Sequence, residues 1–147
     1  MNKQDCIFCK IVKGEIPCAK IYENKNLLVF MDIQPINKGH LLIIPKEHNE
    51  LITNLKDNIL EEMIKIARKL DISLRNIKIK CEGVNLFLAD GESAGQEVFH
   101  VHLHVIPRFK DDGFGFRFPK NYKNKPTREE LNKIAEEIKK EILKWRT

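Results

Sequence analysis

The sequence lacks the features that mark several large classes of protein. No apolar run approaches the roughly 20 residues that a membrane-spanning helix needs, and the longest candidates are strand-sized. Glycine (7) and proline (6) are scarce among the 147 residues, which excludes a collagen-like or low-complexity chain. The first five residues contain no apolar signal core, so we expect a cytoplasmic protein with no membrane partner.

Cysteine is also sparse and unevenly spaced. Cys6 and Cys9 form one close pair, whereas Cys18 and Cys81 stand alone, and this is not the spacing of a disulfide framework. In a reducing cytosol all four are expected to be thiols. The net charge of +5 suits an anionic ligand such as a phosphate. The basic residues are spread along the chain, and no segment combines clustered basic residues with aromatic ones, which argues against a nucleic-acid partner.

What is present is a chain of one-domain size, with 42% hydrophobic and 32% charged residues. Apolar residues three or four apart predict a long helix over 57–74, with Asp57 as its N-cap. A short helix is expected within 5–14. Short apolar runs bounded by turn residues predict five strands, at 21–23, 27–30, 41–44, 84–88 and 98–107. This order predicts an α+β domain with helices packed on an antiparallel sheet of about five strands.

A third helix is predicted near the C-terminus. Thr127 with Glu130 three residues later has the pattern of a capping box. One face of the helix that follows carries five apolar residues, which are Leu131, Ile134, Ile138, Ile142 and Trp145. We expect this face to pack either on the same domain or on a second copy of the chain.

Three of the five histidines alternate along one predicted strand, at His100, His102 and His104. Since alternate side chains of a strand share a face, the three imidazoles lie on one side. The residues between them, Val101, Leu103 and Val105, then face the core. Such a row of imidazoles can bind a metal, bind phosphate, or supply a nucleophile with its helpers.

The close cysteine pair is a second candidate site. A Cys-x-x-Cys turn places two thiolates on one metal, at about 2.3 Å each for zinc. Two further ligands must come from elsewhere, and with His48 and His100 the pair would make a closed Cys2His2 site. The same spacing also permits a redox-active pair, although no thioredoxin-like pattern surrounds it.

Together these motifs resemble the histidine triad (HIT) family. The segment His-Val-His-Leu-His-Val-Ile at 100–106 matches its signature, His-x-His-x-His-x-x with apolar x. Segments at 5–17, 30–48 and 95–99 are similar to its bacterial and archaeal nucleotide-binding members. We expect a single HIT-like domain over 1–147, with a motif-bearing core at about 5–108 and a C-terminal extension and helix at 109–147.

The resemblance implies an enzyme that acts at the α-phosphate of adenosine nucleotides. The substrate would be a phosphoramidate or a dinucleoside polyphosphate, and AMP would be released through a nucleotidyl-histidine. Carried over, His102 is the nucleophile, and its other ring nitrogen donates to the carbonyl of His100. The implied substrate-binding residues are Asp32 at the ribose, Gln96 and His104 at the phosphate, and His40.

The resemblance also implies one structural zinc per chain and a homodimer. The zinc ligands would be Cys6, Cys9, His48 and His100, with no position left open. The zinc would also fix the strand that carries the nucleophile.

One position departs from the family pattern. Many relatives carry Asn or Gln in the place of Ala89, whose side chain cannot hydrogen-bond a phosphate. Backbone N–H groups of residues 91–98 are then expected to contribute more of the phosphate contact. The departure favours an alternative function, a nucleotide-binding or interaction module with little turnover. A zinc-stabilised nucleic-acid-binding protein is a third reading, which only the net charge favours.

Overall fold

The computed structural model describes residues 5–146, with the side chain of residue 146 left out of the description. The first four residues, on which the expectation of a missing signal segment partly rests, lie outside this range. The described chain divides into one unit that ends at Phe114 and another that starts at Gly115. The single domain over 1–147 stays a prediction. Within the described range, no helix has both the length and the apolar character needed to cross a membrane.

The first unit contains two α-helices, five strands and two short 3-10 helices, at Ile52–Asn54 and Glu92–Ala94. The α-helices are α1 (Ile7–Val12) and α2 (Asp57–Asn76). The strands are β1 (Lys20–Glu23), β2 (Leu27–Met31), β3 (Leu41–Pro45), β4 (Gly83–Phe87) and β5 (Leu103–Arg108). They form one antiparallel sheet in the order β1-β2-β3-β5-β4. With the C-terminal helix described below, this confirms the predicted α+β class.

Both faces of the sheet are covered, which explains why β2 and β3 are apolar without interruption. Val29, Ile43 and Val105 point to one face and pack with the buried side of α2. The alternate residues of β2 and β3 point to the other face, where Phe8 and Cys9 of α1 join Leu28, Phe30, Leu42 and Ile44. The register pairs Leu42 with His104, so the histidine face is the α1 face.

The strand predicted over 98–107 is shorter than expected. β5 begins only at Leu103, and the backbone before it bonds elsewhere, with the Val101 N–H donating to the Asn49 carbonyl at 2.7 Å. The partner strand β3 ends at Pro45, which has no N–H to extend the ladder. The alternation nevertheless persists, since Val101, Leu103 and Val105 are all buried in the α2-side core.

The predicted N-cap of the long helix is also wrong by one residue. Lys56 occupies the N-cap position of α2 and makes no side-chain cap bond, while Asp57 is the first helical residue. There its carboxylate lies near the positive end of the helix dipole, so Asp57 stabilises the first turn through charge.

The second unit contains α3 (Arg128–Leu143). Its capping box is confirmed: the Glu130 N–H donates to Thr127 Oγ1 at 3.2 Å, and the Thr127 N–H donates to Glu130 Oε2 at 2.7 Å. No residue of α3 is buried in the single chain. The exposed apolar side chains include Leu131, Ile134, Ile138, Ile142 and Trp145, so their packing partner stays a prediction.

Candidate active site and metal centre

His102 lies in the segment just before β5, and its ring is almost fully buried. Its Nδ1 is 2.8 Å from the backbone carbonyl of His100. Because a carbonyl only accepts, Nδ1 carries the ring proton and Nε2 keeps its lone pair. The predicted acceptor of this hydrogen bond is therefore the one observed. An imidazole held in this tautomer is a ready nucleophile at Nε2.

Phe8 of α1 fixes the rings of two of the triad histidines. Its ring packs edge-on against His102, with centroids 5.2 Å apart, and against His100 at 5.8 Å. No role for Phe8 was predicted from the sequence. The available signal was its place between Cys6 and Cys9, where an apolar residue of a metal-binding turn must lie close to that turn's ligands.

His104 receives its orientation from His40. The Ile36 N–H donates to His40 Nδ1 at 3.2 Å, so the proton of the neutral His40 ring is on Nε2. This Nε2 lies 2.9 Å from His104 Nδ1 and donates to it, which leaves the His104 proton on Nε2. Asp32 closes the group, with its Oδ2 at 3.7 Å from His40 Nε2. The structure thus brings together three of the four predicted substrate-binding residues.

The histidines of this group are neutral at physiological pH. Burial lowers the pKa of His102. Burial, together with the neighbouring His102 and His40, lowers the pKa of His104 to about 4. Burial also lowers the pKa of His40, against the opposing effect of Asp32. Neutral rings retain the lone pairs that nucleophilic attack and hydrogen-bond acceptance require.

The four predicted metal ligands converge on one point between α1 and the end of β3. The Nδ1 of His100 is 3.5 Å from Cys6 Sγ, 3.6 Å from Cys9 Sγ and 3.3 Å from His48 Nδ1. The separation between Cys9 Sγ and His48 Nδ1 is 3.3 Å. A tetrahedral zinc with Zn–S of about 2.3 Å and Zn–N of about 2.05 Å needs S···N of about 3.6 Å and N···N of about 3.3 Å. The donor set therefore fits zinc.

The protonation of His100 agrees with this role. Its Nε2 is 2.8 Å from the carbonyl of Pro45 and donates to it, so Nδ1 turns a lone pair toward the cysteines. Burial lowers the pKa of His100 to about 4, which keeps the ring neutral as a metal ligand must be. His100 thus joins both sites: its ring faces the metal ligands, and its backbone carbonyl holds His102.

Comparison with known proteins identifies the family. A model of the HIT domain matches residues 13–111. The chain belongs to the HIT family. An adenosine 5′-monophosphoramidase of Candida albicans is 40% identical over 144 residues, which cover 95% of this chain and 92% of that protein.

Solved structures share the fold, and one of them is a zinc-bound protein. A HIT family protein from Bacillus anthracis superposes with a TM-score of 0.83 at 40% identity, over 93% of this chain and 96% of that one. A zinc-bound histidine triad family protein from Mycobacterium smegmatis gives a TM-score of 0.73 at 36% identity, over 82% and 87%. The HIT resemblance read from the sequence is therefore confirmed.

Gln96, the fourth predicted substrate-binding residue of this HIT protein, directs its side-chain hydrogen bonds to backbone groups of the loop before the triad and of Glu50. Its buried side chain accepts from the Gly91 N–H at 2.7 Å and donates to the Glu50 carbonyl at 2.8 Å. A longer bond reaches the Val98 carbonyl at 3.2 Å. The amide thus ties together the loop that precedes the HIT triad, and contact with a phosphate stays a prediction.

The same loop contains Ala89, which is buried and offers no side-chain hydrogen bond to a phosphate. The neighbouring Asp90 accepts from the Ile52 N–H at 2.7 Å, so its carboxylate anchors the loop. Four backbone N–H groups expected to face the phosphate have acceptors within the loop, namely those of Gly91, Ala94, Gly95 and Gln96. For these four the expectation is wrong, because the tight turn uses them for its own closure.

Proposed function

We propose that this HIT protein is a hydrolase that acts at the α-phosphate of adenosine nucleotides and releases AMP through a nucleotidyl intermediate on His102. The observation that carries the proposal is the hydrogen bond from His102 Nδ1 to the His100 carbonyl. It leaves Nε2 as the nucleophilic atom of a neutral ring. The monophosphoramidase name of the Candida albicans relative supports a phosphoramidate as the substrate.

In the first step, His102 Nε2 attacks the α-phosphorus. A bond forms between Nε2 and phosphorus, and the bond from phosphorus to the leaving amine or phosphate breaks. The leaving group departs with that electron pair and takes a proton from solvent. Covalent catalysis of this kind divides one difficult displacement into two easier ones.

In the second step, water attacks the same phosphorus and the Nε2–phosphorus bond breaks. AMP leaves, the water returns one proton to solvent, and the neutral ring of His102 is restored. His104 would become an anion if it gave up a proton from its neutral ring. We therefore assign its Nε2–H the role of a hydrogen-bond donor to the phosphoryl oxygens, where negative charge increases in the transition state.

The nucleoside side of the substrate is assigned to Asp32. The carboxylate of Asp32 is half-buried and accepts from the Gln34 N–H at 2.8 Å, which orients it. Its remaining acceptor sites suit the two hydroxyl donors of a ribose. His40 acts through His104, because its Nε2–H fixes which nitrogen of His104 carries the proton.

Zinc in this proposal is structural, with one ion per chain held by Cys6, Cys9, His48 and His100. When bound, it supplies a rigid crosslink between α1 and the segment that carries His100, with no open position for substrate. We further infer that the protein is a homodimer, as the family resemblance implies, and that it is cytoplasmic, in line with the expectation from the sequence.

The test measures AMP release from adenosine 5′-phosphoramidate and from diadenosine tetraphosphate, for the natural protein and for His102→Ala. AMP binding, measured by calorimetry, is the control for an intact site. We expect release that is lost in His102→Ala while AMP binding is retained. The preferred substrate then decides the leaving group. Release that persists in the variant would overturn the role of His102.

Ala89 favours a second candidate, a nucleotide-binding module with little turnover. A buried alanine stands at the position where the family resemblance implies an amide side chain. This reading predicts AMP binding without release from either substrate, and increased turnover in Ala89→Asn. AMP binding without release in the natural protein, together with release in Ala89→Asn, would favour the binding module over the hydrolase.

A further inference from the structure

A buried carboxylate outside the proposed reaction lies just after β5. The side chain of Asp112 is only 3% exposed. It receives two hydrogen bonds from the Arg108 guanidinium, Nε to Oδ2 at 2.6 Å and Nη2 to Oδ1 at 2.7 Å. The Phe114 N–H donates to Oδ1 at 3.1 Å. Burial of a charge is costly without such partners, so these hydrogen bonds are what allow the Asp112 carboxylate to be buried.

One further donor to Asp112 comes from a distant part of the sequence. Asn37 Nδ2 donates to Asp112 Oδ2 at 2.8 Å and to the Pro107 carbonyl at 2.9 Å. Asn37 lies in the middle of the loop that joins β2 to β3, between Asp32 and His40. Its own carbonyl accepts from the His40 N–H at 3.0 Å. The side-chain amide of Asn37 therefore ties the loop to the end of β5.

The turn that presents Asp112 adopts a backbone conformation that needs support. Asp111 has a φ of 64°, which lies in the left-handed region, and Gly113 on the other side has a φ of 78°. A non-glycine residue there persists only where surrounding contacts determine it. The bidentate Arg108–Asp112 pair provides those contacts. Arg108 also donates to Asn85 of β4, so the turn is fixed from two strands.

A second contact holds the same loop close to the core. Gly39 has a φ of 94°, and a Cβ built there would meet Ile79 at 2.8 Å and Pro107 at 3.2 Å. This packing lies at the His40 end of the loop. The hydrogen bonds of Asn37 hold the other part of the loop, which carries Asp32, in a defined position.

We propose that Asn37, through the Asp112–Arg108 pair, is a positioning residue that holds the 32–40 loop ready for the nucleoside. This inference rests on the proposed function, because Asp32 and His40 are the residues that the loop presents. A preformed loop binds the nucleotide without an ordering cost. If only a fraction of the molecules has the loop in the binding conformation, the apparent affinity is reduced to that fraction of its intrinsic value. The side-chain amide of Asn37 donates to Asp112 and Pro107, so we assign it no part in the chemical step.

The experiment compares the natural protein with Asn37→Ala. The variant keeps the Arg108–Asp112 pair, so the buried carboxylate retains its charged partner and the fold is preserved. We expect KM for the nucleotide substrate and Kd for AMP to rise about three- to tenfold, with kcat within about twofold, since the loop is ordered once nucleotide is bound. Asn37→Asp places a second carboxylate against Asp112, and we expect a larger rise. Asn54→Ala, an exposed asparagine in a 3-10 helix, is the matched control.

Hydrogen exchange of the 32–40 amides supplies a readout that does not need turnover. Faster exchange in this loop in Asn37→Ala, with no change elsewhere in the sheet, is expected. A natural protein that binds AMP, with unchanged affinity and exchange in Asn37→Ala, would overturn the inference and leave the proposed function intact. A lower Tm with unchanged KM would reduce Asn37 to a structural role. A natural protein that neither binds AMP nor releases it would overturn both proposals.

Discussion

Replacing Cys9 by serine tests how far the metal site supports the fold. Cys9 is buried, and its Sγ lies 3.3 Å from His48 Nδ1 and 3.6 Å from His100 Nδ1. Serine keeps the shape but removes the thiolate, so the tetrahedral set loses one of its four ligands. If zinc is present at about 100 to 1,000 times its Kd, its loss removes about 3–4 kcal/mol of stability. For a domain of this size that is a Tm decrease of roughly 6–16 °C.

The assay combines the zinc content of the purified protein with thermal unfolding. Cys18→Ser and Cys81→Ser are matched controls, because both thiols are free, only partly buried and outside the metal site. We expect one zinc per chain in the natural protein and both controls, and little or none in Cys9→Ser. Turnover should fall with the zinc, because His100 holds His102. Metal-free natural protein that is fully folded, with an unchanged Tm in Cys9→Ser, would refute the reasoning.

Three further predictions concern the sheet and the site. His104 has a pKa of about 4 in the fold against about 6.5 unfolded. Its contribution to stability is therefore complete above pH 6.5 and is lost as the pH falls through 4. Urea unfolding across this range should show the natural protein losing up to about 3 kcal/mol more than His104→Gln, and parallel losses would contradict it. Ile43→Ala, in the buried centre of the sheet, should cost about 2–5 kcal/mol in urea unfolding without loss of zinc, and a cost near zero would contradict the core assignment. Gln96→Ala removes the amide that closes the 91–96 turn, which should cost about 1–3 kcal/mol and raise KM. An unchanged KM would exclude the loop from substrate binding.

The sequence allowed the fold to be predicted because its helices and strands rest on local patterns. Strict alternation at 100–105 separated the histidines from the core residues Val101 and Val105, and this held even where the backbone left the sheet. The zinc set followed from the close cysteine pair and the few histidines available, together with the family resemblance. Capping at Thr127 is equally local, since donor and acceptor lie three residues apart.

Contacts between distant segments were not predictable in this way. No pattern within 30–40 indicates that Asn37 meets Asp112, because that contact depends on β3 and β5 being neighbours in the sheet. The end of β3 at Pro45 decided where β5 begins. The sequence likewise does not predict that the side chain of Gln96 accepts from a backbone N–H group of its own loop.

The central claim is that His102 forms a covalent bond to the nucleotide, and trapping that adduct tests it most directly. The protein would be mixed with adenosine 5′-phosphoramidate and quenched within milliseconds in alkaline denaturant, where a phosphohistidine bond survives. Peptide mass mapping would then locate the label. The account predicts an adenylyl group on His102 that appears before steady-state AMP release and is absent from His102→Ala. Full AMP release with no adduct at any time, or with an adduct on another residue, would contradict it.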